Sequence, residues 1–215
     1  MKTNPRKKYI SNSEESVRMF KSDLFESLSK VHYTVPIYIF LPVIFYCIYR
    51  SVTTPLPVLY YPLVIVAGMV IWSLVEYIMH RFVFHTVLPG KLGNRIHFIF
   101  HGVHHDYPSD RMRLVMPPSV SIPLALLFFY LFKSLIPDVY FWMFFATFLV
   151  GYLIYDIGHY AMHHFNFKSG LFKRIKQYHM LHHYQEPERG YGVSSPFWDK
   201  IFDSGFSAKK AEHKE

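Results

Sequence analysis

The chain has 215 residues, a length that suits one domain, and a formal net charge of +8. It is 51% hydrophobic and 19% aromatic, yet its mean hydropathy is only +0.12, which fits a membrane protein with a large polar portion and excludes a bundle that is apolar throughout. A single cysteine, Cys47, excludes an intramolecular disulfide and any thiolate-built zinc or iron–sulfur site; the basic residues flank apolar runs, which points to a membrane surface and away from nucleic acid.

The basic start (Lys2, Arg6, Lys7, Lys8) is followed by polar Ser11–Glu15, so it lacks the apolar core of a cleaved signal, and the first apolar run is expected to stay as an anchor. Over residues 13–32, Val17, Phe20, Leu24, Leu28 and Val31 repeat at three and four, which predicts an amphipathic helix lying at the membrane interface. Ser11 and Glu14 have capping-box spacing at its start. Four apolar stretches follow, at about Val35–Tyr49, Val58–Met79, Ser119–Leu135 and Val139–Ile157. A helix needs roughly 20 residues to span the hydrocarbon. The second and fourth reach that length; the first and third are shorter and carry Pro42 and Pro123.

Short breaks at 50–57 and 133–138 divide the four into two helical hairpins. Lys and Arg number seven in residues 1–34, five in 80–118 and nine in 158–215, against one in each break (Arg50, Lys133). The positive-inside rule then places both termini and the central loop in the cytoplasm. The expected fold is therefore all-α and integral to the membrane, with about four transmembrane helices in two hairpins and a cytoplasmic histidine-rich helical cap. The expected organisation is a cytoplasmic N-terminal segment over 1–34, a membrane domain over 35–203 and a solvated tail over 204–215.

Twelve of the 14 histidines fall in four clusters at the edges of apolar stretches. These are His80 and His85; His97, His101, His104 and His105; His159, His163 and His164; and His179, His182 and His183. Imidazole is the commonest side-chain metal ligand. Residues three and four apart share a helix face, so His101, His104 and His105 can converge, as can His179, His182 and His183, and His159 with His163. His164 points away from that last pair on a regular helix. His80 and His85, five apart, diverge unless a helix end lies between them or they serve different ions. About ten imidazoles exceed what one ion takes and imply two metals with some five ligands each. All-nitrogen sites suit zinc, iron, copper or nickel. Glu76, one turn before His80, and Asp156, three residues before His159, are positioned to accept the distal N–H of a ligating ring. An acid near the end of a spanning helix is costly without such a partner.

Several strings carry a resemblance: Trp72-x3-Glu76-Tyr77-x2-His80-Arg81-x3-His85, His97-x3-His101-Gly102-x-His104-His105, Arg113-Leu114-Val115-Met116-Pro117-Pro118, Tyr155-Asp156-x2-His159-x3-His163-His164, Tyr178-His179-x2-His182-His183-Tyr184, and Gly190-Tyr191-Gly192-Val193 with Trp198-Asp199. Together they resemble the fatty acid hydroxylase superfamily, most closely the fatty acid 2-hydroxylases, over about residues 35–203. The resemblance implies a membrane di-iron oxygenase that uses O2 to hydroxylate carbon 2 of a fatty acyl chain, free or within a ceramide-like lipid. Zinc can replace iron in recombinant preparations.

Carried over by motif, the ligands are His80, His85, His101, His104, His105, His159, His163, His179, His182 and His183, with His97 and His164 supporting them. Which ring serves which ion stays open. Arg111 and Arg113 are head-group candidates. Several relatives carry a fused cytochrome b-type domain. The roughly 34 residues before the first apolar run are too few for one, so a separate electron carrier is expected, such as a b-type cytochrome or a ferredoxin with its reductase. The expected membrane is a bacterial inner membrane or the endoplasmic reticulum. A sterol or carotenoid hydroxylase or desaturase of the same superfamily is the alternative. A metal transporter fits less well, because the histidines form no ladder across the bilayer.

Overall fold

The computed structural model describes residues 10–206, and within them the chain is helical with no strand. The basic start and most of the expected solvated tail lie outside the described residues. The elements are α1 (Asp23–Leu28), α2 (Val35–Val52), α3 (Tyr61–Ile78), α4 (Gly90–His97), α5 (Val103–Asp106), α6 (Pro118–Leu135), α7 (Asp138–His164), α8 (Gly170–Tyr184) and α9 (Phe197–Ile201). Proline sits in the first turn of α2, α3 and α6, where its missing N–H costs nothing. Both α2 and α6 continue through their interior prolines, Pro42 and Pro123.

Four segments are long and apolar enough to cross a membrane: Val35–Val52, Val58–Phe84, Pro118–Leu135 and Asp138–His164. They match the four apolar stretches read from sequence, and the protein is an integral membrane protein. The helix α7 is the hub. Its most apolar window is 67% buried against 6% for α6, and both α2 and α3 pack along it. Phe141, Phe145, Phe148, Leu149 and Tyr152 of α7 meet Phe40, Ile44 and Cys47 of α2 in the main core. Where α3 crosses α7, the bare faces of Gly68 and Gly151 allow close approach. A Cβ on Gly151 would sit 2.6 Å from the Trp72 ring, and one on Gly68 would sit 2.6 Å from the Phe144 carbonyl oxygen.

The N-terminal segment corrects the sequence reading. Over residues 13–32 the only helix is the six-residue α1; Ser11 Oγ accepts from the Ser13 amide, and no capping box forms. Tertiary bonds take the place of helical ones. The Glu26 carboxylate accepts the Met19 and Phe20 amides at 2.9 and 3.0 Å, and the Val31 amide donates to the Met112 carbonyl at 2.8 Å. Met19 and Val31 are buried, whereas Leu24 and Leu28 of the expected apolar stripe face outward.

Candidate metal centre

Two turns of π-helix shape the site. The first, Met79–Phe84, extends α3, and the second, Phe98–Gly102, joins α4 to α5. A π turn bonds residue i to i+5. The His85 amide accordingly donates to the His80 carbonyl at 3.2 Å, and the two rings that diverge on an ideal helix face one another, Nε2 to Nε2 at 3.1 Å. The helix ends at Phe84, between the two rings, with His85 as its C-cap.

The ten expected rings assemble into two groups of five. One holds His80, His85, His101, His105 and His182; the other holds His104, His159, His163, His179 and His183. Within each group the ligand atoms lie within 4.8 Å of one another. The rule that sorts the sequence motifs is now visible. The pair four apart goes to one group (His101 with His105, His179 with His183), and the ring between them (His104, His182) goes to the other. His105 and His183 stack at 4.2 Å between ring centroids, so the two groups adjoin.

The donor set fits metal. In the first group the Nε2 atoms of His80 and His101, of His85 and His101, and of His85 and His182 are 3.0–3.1 Å apart. Nitrogens at right angles around an ion at about 2.1 Å lie about 3.0 Å apart, whereas tetrahedral ligands would lie about 3.4 Å apart. Five neutral rings cannot satisfy so many mutual nitrogen contacts with one proton each. In the second group both nitrogens of His104 and His183, and Nε2 of His159, are buried without a hydrogen-bond partner. Buried polar atoms are seldom left so. Burial first, and then neighbouring imidazoles, hold His101, His104, His105, His179 and His183 well below the ordinary histidine value. The rings are neutral and present lone pairs, as metal ligands must.

Backbone carbonyls, not carboxylates, orient the rings. His80 Nδ1 donates to the Tyr191 carbonyl at 2.6 Å, and His182 Nδ1 donates to the Arg189 carbonyl at 2.7 Å. That fixes each proton on Nδ1 and turns Nε2 inward. Glu76 and Asp156 therefore act one step further out than their spacing predicts. Glu76 Oε1 accepts the Val193 and Ser194 amides at 2.9 and 2.8 Å. Asp156 accepts the Met116 amide and the Tyr152 hydroxyl, both at 3.0 Å. Neither carboxylate has a bond to an imidazole. His97 and His164 belong to neither group; His97 packs beside Gly102, and His164 leans on Tyr160 with ring centroids 4.6 Å apart.

Arg113 also differs from expectation. Its buried guanidinium bonds Glu26 Oε1 at 2.6 Å, the Val17 carbonyl at 2.7 Å and Ser29 Oγ at 2.8 Å. It clasps the N-terminal segment and is not open to a head group. Arg111 is exposed and pairs with Glu14 at 3.2 Å. Sequence reasoning assigned no role to Asp199, which is fully buried and accepts the Tyr191 and Gly192 amides. The Gly190–Val193 and Trp198–Asp199 strings were the signal for it.

Two cavities share part of their walls beside the site. One is apolar, lies between α2, α3, α6 and α7, and is lined by Phe40, Trp72, Leu124, Phe128 and Phe148. The other reaches His101, His104 and His159 and is bordered by Met19, Ser29 and Arg113. Phe84, Met116 and Tyr155 line both.

Comparison with known proteins places this arrangement. The family profile described as fatty acid hydroxylase matches residues 65–204. The dihydroceramide fatty acyl 2-hydroxylase FAH1 of Arabidopsis thaliana is 36% identical over 204 residues, covering 94% of this chain and 85% of the relative. The fatty acid 2-hydroxylase of Rattus norvegicus is 39% identical over 86% of this chain and 56% of its own length. The solved structure described as full-length scs7p, with only the hydroxylase domain visible, superposes with a TM-score of 0.81 at 34% identity, covering 87% of this chain and 71% of the other.

Proposed function

Because the chain belongs to the fatty acid hydroxylase family, we propose that it hydroxylates carbon 2 of a fatty acyl chain, free or carried in a ceramide-like lipid. The observation that carries this reading is an apolar cavity among the spanning helices that shares Phe84, Met116 and Tyr155 with a second cavity lined by rings of both five-histidine groups. Two iron ions held there would supply the dioxygen chemistry, with one oxygen atom going to the substrate and the other to water.

The chain's own residues do the rest. Aromatic walls from Trp72, Phe128 and Phe148 take the hydrocarbon and keep water out. Phe84, Met116 and Tyr155 line both cavities, so they align the first carbons of the chain beside His101, His104 and His159. The head group then lies toward the polar end, where exposed Arg111 is a contact for it and Arg113 holds the N-terminal wall. Insertion of one oxygen atom from O2 consumes two electrons, which come from an external carrier such as a b-type cytochrome or a ferredoxin with its reductase.

The distribution of Lys and Arg supports an orientation with both termini and the histidine groups on the cytoplasmic side. The four spans then form two sequential hairpins, capped there by α4, α5 and α8. The membrane is a bacterial inner membrane or the endoplasmic reticulum.

Lipid profiling of an expressing host, with a metal assay on the same preparation, tests the proposal. The expected result is accumulation of 2-hydroxy acyl chains, lost in H104A and H182A. Altered sterols or carotenoids with unchanged acyl chains would overturn it.

A further inference from the structure

Residues 189–193 form a strap across the first histidine group, and two of its carbonyls face two rings of that group. Arg189 supplies one to His182, and Tyr191 supplies the other to His80, at 2.7 and 2.6 Å. The strap is pinned by its amides. Asp199 Oδ1 accepts from Tyr191 at 2.9 Å, and Oδ2 accepts from Gly192 at 2.8 Å. Oδ1 also takes the Ser204 hydroxyl at 2.7 Å. Beyond Gly192, Glu76 holds the Val193 and Ser194 amides.

The local sequence is built for this. Gly190 has φ +71°, a backbone that glycine adopts without strain, and a Cβ on Gly192 would collide with the Ser195 carbonyl and lie 2.9 Å from Asp199 Oδ2. In the second histidine group a backbone carbonyl, that of Leu114, bonds His159. Nδ1 of His104, His179 and His183 is buried there without a partner.

We propose that Asp199 is a positioning residue for the first metal site: through the 189–193 strap it fixes the His80 and His182 rings, and it leaves the second site unaffected. The inference rests on the two-metal reading above. An Asn at this position keeps the shape but turns an NH2 toward an amide N–H, donor against donor, so the strap loosens while the fold persists.

The test uses the full chain purified in detergent and loaded with zinc as a redox-silent probe. Wild type is expected to hold two ions. D199N is expected to hold one as tightly as wild type and the other about 10-fold or more weakly, the usual scale for losing support behind a ligand. Histidine footprinting with diethyl pyrocarbonate should then show new labelling at His80 and His182, with none at His159 and His163. D156N, which alters an equally buried carboxylate away from the strap, should give no new labelling in the first group.

If D199N is not recovered folded, S204A removes one bond from the same carboxylate and must weaken the same ion by a smaller factor. Equal weakening of both ions, or unchanged affinity at both, overturns the inference while the two-metal reading stands. Wild type that binds no zinc overturns that reading and the inference with it.

Discussion

Glu26 holds the N-terminal segment against the rest of the protein. Burial alone would raise its carboxyl, but the Lys30 ammonium, the Phe20 and Met19 amides and the Arg113 charge outweigh it and bring the value down to about 2 from the ordinary 4.5. A carboxyl lowered on folding adds stability that is present above its unfolded value and lost as pH falls through its folded one. Acidification from pH 4.5 to 2 should therefore release residues 17–31, read as new pepsin cleavage there, and E26Q should be cleaved already at pH 4. Two adjacent residues make a second prediction. His182 and His183 belong to different groups, so H182A and H183A should each lose about one of two ions, and the ion lost should differ. Metal titration with histidine footprinting checks this; loss of both ions in either variant would contradict the grouping.

At the level of elements, the crossing of α3 on α7 depends on side chains that are absent. In G151V the new methyls would push against Trp72 and drive apart the helices that carry His80 and His159. Overpacking of this kind costs about 1–3 kcal/mol. The detergent-solubilised variant should melt earlier and bind metal less tightly at both groups; an unchanged melting curve would show that α3 repacks freely. The spans were readable because a spanning helix must be apolar for most of its length, and α7, the most buried, was as plain as α3. The pairing of rings four apart was readable from helical pitch, although the same reading set His104 and His182 with their neighbours, and each joins the opposite group. Three features were not. A π turn leaves no mark in hydrophobic periodicity, so His80 and His85 looked divergent. The apolar repeat of residues 13–32 imitates a helix face, yet Glu26 from within it and Arg113 from a distant part of the chain claim its backbone. A carbonyl that aims an imidazole belongs to any residue type, so the roles of Arg189 and Tyr191 have no side-chain signature.

For the whole molecule, the ten rings draw together α3 with its π turn, the 98–106 stretch, α7 and α8. Stripping metal leaves their nitrogens facing each other in two buried clusters, so chelation should lower the melting temperature and speed hydrogen exchange in α4, α5 and α8 more than in the aromatic core around Phe141 and Phe148. Uniform loosening throughout would mean that the core also depends on the ions. The sorting of rings has a mechanical corollary. The stretch 101–105 and α8 each reach into both groups, whereas α7 feeds only the second. Those two helical pieces would work as a yoke: the interval between two cations held there would be ruled by helical pitch, and neither could drift without dragging its twin.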